Sequence, residues 1–377
     1  MTEQFPETAF LDLIARLAAA DGPSLAEGPR GEALAAYLTA AGLAVRTDAA
    51  GNLWTRLGPE AWTEAVVFDA HLDVVERGRP ERLIHEGRRL QGLGVGDNLT
   101  SVALLALAMC AFHEASAQPV RPIEALFSVG EEGLGDLRGV RQAARDRPEP
   151  PWAFVSLDGP LGTYYLAGLG RRRYRVEVRC AGGHAWQDYG APSAVHELVQ
   201  VLADLKAAHA GLAAGAETTL SFNIGAVQGG KAVNSIARDA EALFEYGSES
   251  AALLDKAHES MRAILDRAGA RAGVELAWTQ VGDRPAVGPV RPERVEPVVR
   301  AALEAEGVAP RCAVASTNSN ATLAAGWPSV TVGVRGGGNP HREDEWIELD
   351  ELPAAWRVLG TLIDALAFRG RESAGME

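Results

Sequence analysis

Four apolar runs with no internal alternation constrain this chain more than any other feature. They are residues 65–70 (AVVFDA), 123–129 (IEALFSV), 152–157 (WAFVSL) and 329–334 (SVTVGV). A strand with one wet face alternates polar and apolar residues. A strand covered on both faces reads as a continuous apolar stretch, the mark of a parallel sheet between helices. Helical periodicity over residues 7–20 and 31–42 fits the same α/β class. Residues 44–57 read as a hairpin with Gly51-Asn52 at its turn. With 377 residues, 47% of them hydrophobic, the chain is long enough for two domains or one large domain with an insertion.

The pattern changes between residues 171 and 283. Residues 172–180 (RRYRVEVRC) alternate, as a strand with one exposed face does. An amphipathic helix over 193–210 follows, then strands at 218–230 and 239–249, a helix over 250–268 and a strand at 274–282. This β-α-β-β-α-β order predicts an α+β (ferredoxin-like) domain, 171–283, inserted into a mostly parallel α/β domain formed by 1–170 and 284–377.

The net charge of −14 argues against a nucleic-acid partner or an anionic membrane surface. Cys110, Cys180 and Cys312 are widely spaced and form no CxxC, so they read as buried thiols in a reducing compartment. The N-terminal stretch carries acidic residues where a secretory signal needs basic ones. The most apolar segment, 99–112, is too short to span a bilayer. A soluble, cytoplasmic protein is expected.

Chemistry gathers where the four runs end. His71 and Asp73 follow the first, Glu131-Glu132 the second, Asp158 the third, and RGGGNPH, ending in His341, the fourth. Asp97 lies in a glycine-rich stretch, GLGVGD, before a helix. In open α/β sheets, ligands bind beyond the carboxyl ends of the strands. Imidazole and carboxylate are the donors of catalytic zinc sites, which keep a position open for water. Two such ions about 3.5–4 Å apart share bridging ligands. Metal charge would offset the repulsion between Glu131 and Glu132. Successive side chains of an extended segment point opposite ways, so one can bind metal while the other acts as general base.

Blander readings hold elsewhere. His85 reads as surface, and His113, His196, His209 and His258 as solvated or core residues of helices. GAVQGGKA (225–232) fails as a phosphate loop because Ala232 replaces the required hydroxyl, and GLGVGD fails as a dinucleotide fingerprint. Arg335 and Arg171-Arg172-Arg173 read as solvated, with substrate contact as the alternative.

HLD (71–73), GVGDN (94–98), GEEGLG (130–135), SLDG (156–159), GGHAW (182–186), GGKAVNSIA (229–237), STNSNATLAAGWPSVTVG (316–333) and GGGNPHREDEWI (336–347) occur in one order. In this the chain resembles the metal-dependent exopeptidase and deacylase family of peptidase T, glutamate carboxypeptidase, carnosine dipeptidase, acetylornithine deacetylase and succinyl-diaminopimelate desuccinylase. The resemblance implies two divalent ions, zinc first, with cobalt or manganese as alternatives. His71 and Asp158 would hold one, Glu132 and His341 the other. Asp97 would bridge them, with a cis peptide to Asn98. Glu131 would be the general base, and Asp73 would orient His71 through its other ring nitrogen. His184 would stabilise the oxyanion, from the partner subunit of a homodimer joined through the inserted lid domain. Asn234 would contact substrate.

Three positions depart from the family pattern. Asn98-Leu99 replace an acidic residue and lysine. STNSN replaces STDAN. Glu245-Tyr246-Gly247 replace the lid motif DLR, whose arginine commonly binds a substrate carboxylate. With Asp158 in place of glutamate, as in peptidase T and the dipeptidases, the expected activity is that of an aminopeptidase or dipeptidase on small peptides. An N-acyl-amino-acid deacylase is the alternative. A non-catalytic ligand-binding descendant is a third reading, opposed by the intact ligand set and Glu131.

Overall fold

The four apolar runs lie side by side. The structure, a computed structural model, describes residues 4–75 and 83–368. The chain divides into two units, Met1–Gly168 with Pro289–Glu377, and Leu169–Gly288. In the first unit an eight-stranded sheet runs in the order Val45–Thr47, Leu53–Leu57, Ile123–Ser128, Val66–His71, Ala153–Leu157, Ser329–Val332, Thr163–Gly168 and Arg311–Ala315. The four runs supply its consecutive central strands, and all four are parallel. The flanking strands Leu53–Leu57 and Thr163–Gly168 pair antiparallel to them.

Covering both faces removes the need for polar alternation. Val66, Phe68, Ala70, Phe127 and Val155 enter the main core, together with residues of the helices Glu7–Ala19, Ser101–Glu114 and Leu352–Ile363. Val67, Leu126 and Phe154 point the other way. They pack with Trp54, Val140 and Trp327 under the helices Arg138–Asp146 and Ser319–Ala324.

The most apolar segment forms the helix Ser101–Glu114. The turn that precedes it, Val95–Thr100, has non-helical backbone angles at Asp97 and Asn98. With that turn counted in, residues 95–114 are long and apolar enough to cross a membrane by length and composition alone. The segment instead belongs to the core, with 83% of its most apolar stretch buried. The hairpin Val45–Thr47/Leu53–Leu57 forms as expected. Its turn is organised by Asp48, whose carboxylate accepts the Ala50 and Asn52 amides at 3.0 and 3.1 Å and the Trp54 indole N–H at 2.8 Å. Cys180 is buried and Cys110 half-buried, but Cys312 is exposed, against expectation. It lies on Arg311–Ala315, the outermost strand of the sheet, which has a neighbour on one side only.

The second unit is built as its β-α-β-β-α-β order predicts. Its four-stranded antiparallel sheet runs Leu220–Gly229, Asp239–Ser248, Gly170–Arg179, Glu275–Arg284. Tyr174, Val176, Ala242 and Phe244 pack against Leu198, Val201, Leu254 and Met261 of the helices Ala194–Ala214 and Ala251–Gly269.

Gly139, in the first turn of Arg138–Asp146, shows how closely the first unit is packed. Its N–H donates to the Val129 carbonyl at 3.0 Å, and its carbonyl accepts the Asn52 side-chain amide at 3.0 Å. A Cβ there would lie 2.2 Å from Asn52 Oδ1 and 2.6 Å from the Val129 carbonyl oxygen. Gly139→Ala is expected to destabilise the protein by about 1–3 kcal/mol through overpacking. The measurement is the urea midpoint, which should fall with an unchanged m-value.

Candidate metal centre

Because the four central strands are parallel, their carboxyl ends share one edge of the sheet. His71 closes Val66–His71, Glu131-Glu132 follow Ile123–Ser128, and Asp158 follows Ala153–Leu157. Asp97 comes to the same edge on its turn, whose Asp97–Asn98 peptide is cis. The Asn98 side chain donates to the Leu157 carbonyl at 2.8 Å, fastening that turn to the neighbouring strand end. His341 arrives on the loop after Ser329–Val332.

The donor atoms form two overlapping groups. His71, Asp97 and Asp158 make one, and Asp97, Glu132 and His341 the other, each with donor atoms within 4.8 Å of one another. Asp97 is common to both. Its Oδ1 lies 3.2 Å from His71 Nε2, and its Oδ2 3.2 Å from His341 Nε2. His341 Nε2 is also 2.9 Å from Glu132 Oε1. A carboxylate with one oxygen turned to each group has the disposition a bridging ligand needs. Glu131, only 3% exposed, groups with His71 and Glu132.

Asp73 holds this arrangement from behind. His71 Nδ1 lies 3.0 Å from the Asp73 carbonyl oxygen and 3.5 Å from its carboxylate. A carbonyl can only accept, so Nδ1 carries the proton and Nε2 is free to ligate. The ring is thus oriented chiefly through the Asp73 backbone carbonyl. The carboxylate accepts the Glu131 and Glu132 amides at 2.9 and 2.8 Å and the Ser24 hydroxyl at 2.7 Å. Beside it, the buried Arg30 guanidinium donates to the carbonyls of Leu17, Gly22 and Leu72.

The electrostatics suit a divalent cation. Burial pushes the Asp158 carboxyl up to about 7, helped by the charge on Asp97. Hydrogen bonds to Asp97 and then Glu132 lift His341 to about 11. Burial opposes the charged form of His71, but Asp73 and Asp97 outweigh it and hold the imidazole well above its ordinary value. Burial likewise opposes charge on Asp97, yet His341 and His71 keep it well below the usual carboxylate range. Three carboxylates therefore meet two imidazoles whose proton affinity they raise. The donor set, nitrogen and oxygen without thiolate, suits zinc or a similar divalent ion. His341 is 50% exposed, so this side of the centre is open to solvent.

Two neighbours were not legible as site residues. Arg335 is 7% exposed rather than solvated, and its guanidinium lies 3.7 Å from Asp97 Oδ2. Glu345 is fully buried and accepts three backbone N–H groups of residues 94–97. Burial pushes its carboxyl up to about 7 against the pull of those amides. Three donors at 2.7–2.8 Å call for the carboxylate form. The only sequence signal was the glycine pair Gly94 and Gly96. His184 and Asn234 lie in the other unit, where they are neighbours: Gly183–His184 pairs with Ser235–Ile236, and the Ala185 amide donates to the Asn234 carbonyl at 3.0 Å. His209 and His258 bond the Leu220 carbonyl and the Tyr174 hydroxyl, each at 2.8 Å, as structural residues do.

The overlap of the two groups generates a stoichiometric expectation. Asp158→Ala and His341→Ala should each weaken one ion, whereas Asp97→Ala should remove both. Elemental analysis of protein loaded with zinc and then desalted reads this directly; equal loss from all three variants would contradict a shared Asp97.

Residues 67–365 match the family model described as Peptidase family M20/M25/M40. A succinyl-diaminopimelate desuccinylase of Delftia acidovorans is 28% identical over 273 residues, covering 68% of this chain and 69% of that protein. The corresponding enzyme of Acidovorax ebreus is 27% identical over 278 residues, with coverages of 68% and 69%. Among solved structures, the aminopeptidase PepT of Bacillus cereus superposes with a TM-score of 0.69 at 19% identity, covering 96% of this chain and 98% of that one. Human carnosine dipeptidase 1 gives 0.73 at 14% identity, with coverages of 96% and 97%. With strand ends, donor set and whole-fold likeness in agreement, the chain belongs to Peptidase family M20/M25/M40 and is a metal-dependent hydrolase.

Proposed function

We propose that this protein hydrolyses the amide bond of small peptides bearing a free amino terminus, as an aminopeptidase or dipeptidase. Glu131 is the observation that carries the hydrolytic reading. It is a buried carboxylate next to both donor groups, with its backbone pinned by Asp73. In this reading His71 and Asp158 would hold one divalent ion and Glu132 and His341 the other, with Asp97 as the carboxylate common to both. Zinc is the first candidate, with cobalt or manganese as alternatives. Ions bound there supply Lewis acidity, lowering the pKa of an attacking water toward neutrality and polarising the scissile carbonyl. Glu131 takes the proton as the water attacks and returns it to the leaving amine.

His184 is assigned to the oxyanion. The amides of Trp186 and Gln187 approach its Nδ1 at 3.3 and 3.4 Å, which leaves Nε2 as the protonated donor. A fixed N–H donor is what a developing oxyanion needs. Residues 171–283 serve as lid and dimerisation domain in this reading, residues 1–170 and 284–377 as the catalytic domain. His184 acts from the partner copy of a cytoplasmic homodimer, and Asn234 touches substrate.

Asp158 and the missing lid arginine favour the peptidase. Position 247 is glycine, and the Arg171 guanidinium occupies the space above it: a Cβ there would lie 2.7 Å from Arg171 Nη1. That guanidinium is engaged by Glu245 at 2.9 Å. The desuccinylase relatives support the second reading, an N-acyl-amino-acid deacylase.

The deciding assay compares short peptides with free amino termini against their N-acetylated forms, with added zinc, cobalt or manganese and a chelator control. Turnover of the free-amine peptides alone is expected; turnover of the acylated compounds alone would make the protein a deacylase. Glu131→Gln should lower kcat by about 10²–10⁴-fold while metal content stays at the wild-type level. Full activity in that variant would remove the general-base assignment. His184→Ala should lower kcat by about 10²–10³-fold with little change in KM. A change in KM alone would assign it to substrate binding instead.

A further inference from the structure

GLGVGD binds no phosphate in this fold; its anion is internal. The Glu345 carboxylate accepts the Gly94 amide through Oε2 at 2.7 Å, and the Gly96 and Asp97 amides through Oε1 at 2.8 and 2.7 Å. Backbone N–H groups converging in this way make an anion-holding nest. The glycines are there for geometry. Gly94 has φ +74°, a left-handed conformation that favours glycine. A Cβ on Gly96 would lie 2.9 Å from Glu345 Oε1. Glu345 is also fixed in place itself: its N–H donates to the Arg342 carbonyl at 3.0 Å, and its carbonyl accepts the Gly92 amide at 2.9 Å.

One carboxylate thus joins two segments that are distant in sequence. Asp97, the ligand common to both donor groups, is held by its own amide. His341 lies four residues before Glu345 on the same loop. We propose that Glu345 is a positioning residue for the metal pair: it holds Asp97 in the pose that turns one oxygen to each ion, and it sets the His341 loop against that turn. This rests on the metal-centre reading above. Partners beyond the ligands characteristically govern metal affinity by about 10–100-fold.

Two variants test it from opposite sides. Glu345→Gln keeps the size of the side chain but turns an NH₂ group toward amide donors. Gly96→Ala keeps the Glu345 side chain but sets a Cβ 2.9 Å from its Oε1 and 3.2 Å from Arg335 Cδ, so the carboxylate must shift. Dissociation constants for zinc and cobalt are measured on metal-free protein by chelator competition, with the visible spectrum of bound cobalt and the urea midpoint of the metal-free form alongside. The expected result is about 10–100-fold weaker binding of both ions in both variants, with a perturbed cobalt spectrum. A fall in the urea midpoint with dissociation constants within twofold of wild type would make Glu345 merely structural and overturn the proposal. Weakening of one ion alone would overturn it too, because Asp97 is shared. Wild-type protein that takes up no ion would overturn the metal-centre reading and this inference with it.

Discussion

The carboxylates of Asp97, Glu132 and Asp158 converge with only two imidazoles at one edge of a sheet, and much of the surrounding structure answers to that imbalance. Like charges brought this close in a partly buried space raise each other's proton affinity unless cations intervene. Here the imidazoles of His71 and His341, their proton affinity raised by these carboxylates, stand among them, with the Arg335 guanidinium beside Asp97. The same crowding that is costly for the bare protein gives the site its appetite for divalent metal, because each ion replaces protons while neutralising the carboxylates.

Holding such a cluster open requires anchors that do not belong to it, and buried polar side chains supply them. Asp73 gathers the Glu131 and Glu132 amides, Arg30 takes the Leu72 carbonyl, Asn98 takes the Leu157 carbonyl, and Glu345 takes the amides of the Asp97 turn. Behind the strand ends, Asn318 bridges the Asp69 carboxylate and the Ser128 hydroxyl at 2.9 and 2.8 Å, while Ser156 donates to Asp69 from the next strand. These contacts fix the backbone from which the ligands project. A ligand on a well-held backbone needs little reorganisation when it binds, which is the physical content of preorganisation.

What could be read from the sequence follows from the range of the interactions. The central strands were legible because double-sided burial leaves its mark on every residue of a run. The grouping of the candidate ligands was legible because parallel strands deliver their ends to one edge, so His71, Glu132 and Asp158 could be brought together without knowing the strand order. The inserted unit was legible from its switch to alternation. Glu345 was hidden because its partners are backbone amides about 250 residues away, and amides have no sequence signature. Asp73 was half-seen for the same reason: its partners on Glu131 and Glu132 are main-chain groups. Arg335 looked solvated because composition does not reveal that Asp97 stands opposite it. Cys312 looked buried because an edge strand and an inner strand can share one local pattern.

The insertion also imposes an order of events on a growing chain. Strand Ser329–Val332 lies between Ala153–Leu157 and Thr163–Gly168, both made before the inserted unit. The chain returns from the insertion beside its point of departure, where the Val290 amide donates to the Leu166 carbonyl at 2.8 Å. Until residues 329–332 leave the ribosome, two strands that emerged more than 150 residues earlier have a gap between them. His71, Asp97 and Asp158 are in hand by then, but His341 and Glu345 follow the gap-filling strand. The residues of one donor group all come from the first half of the chain, but the second group, and the Glu345 that holds the Asp97 turn, wait for its last quarter. Pairings this distant in sequence are slow to form, and a nascent chain paused before residue 329 exposes two open strand edges of the kind that chaperones shield.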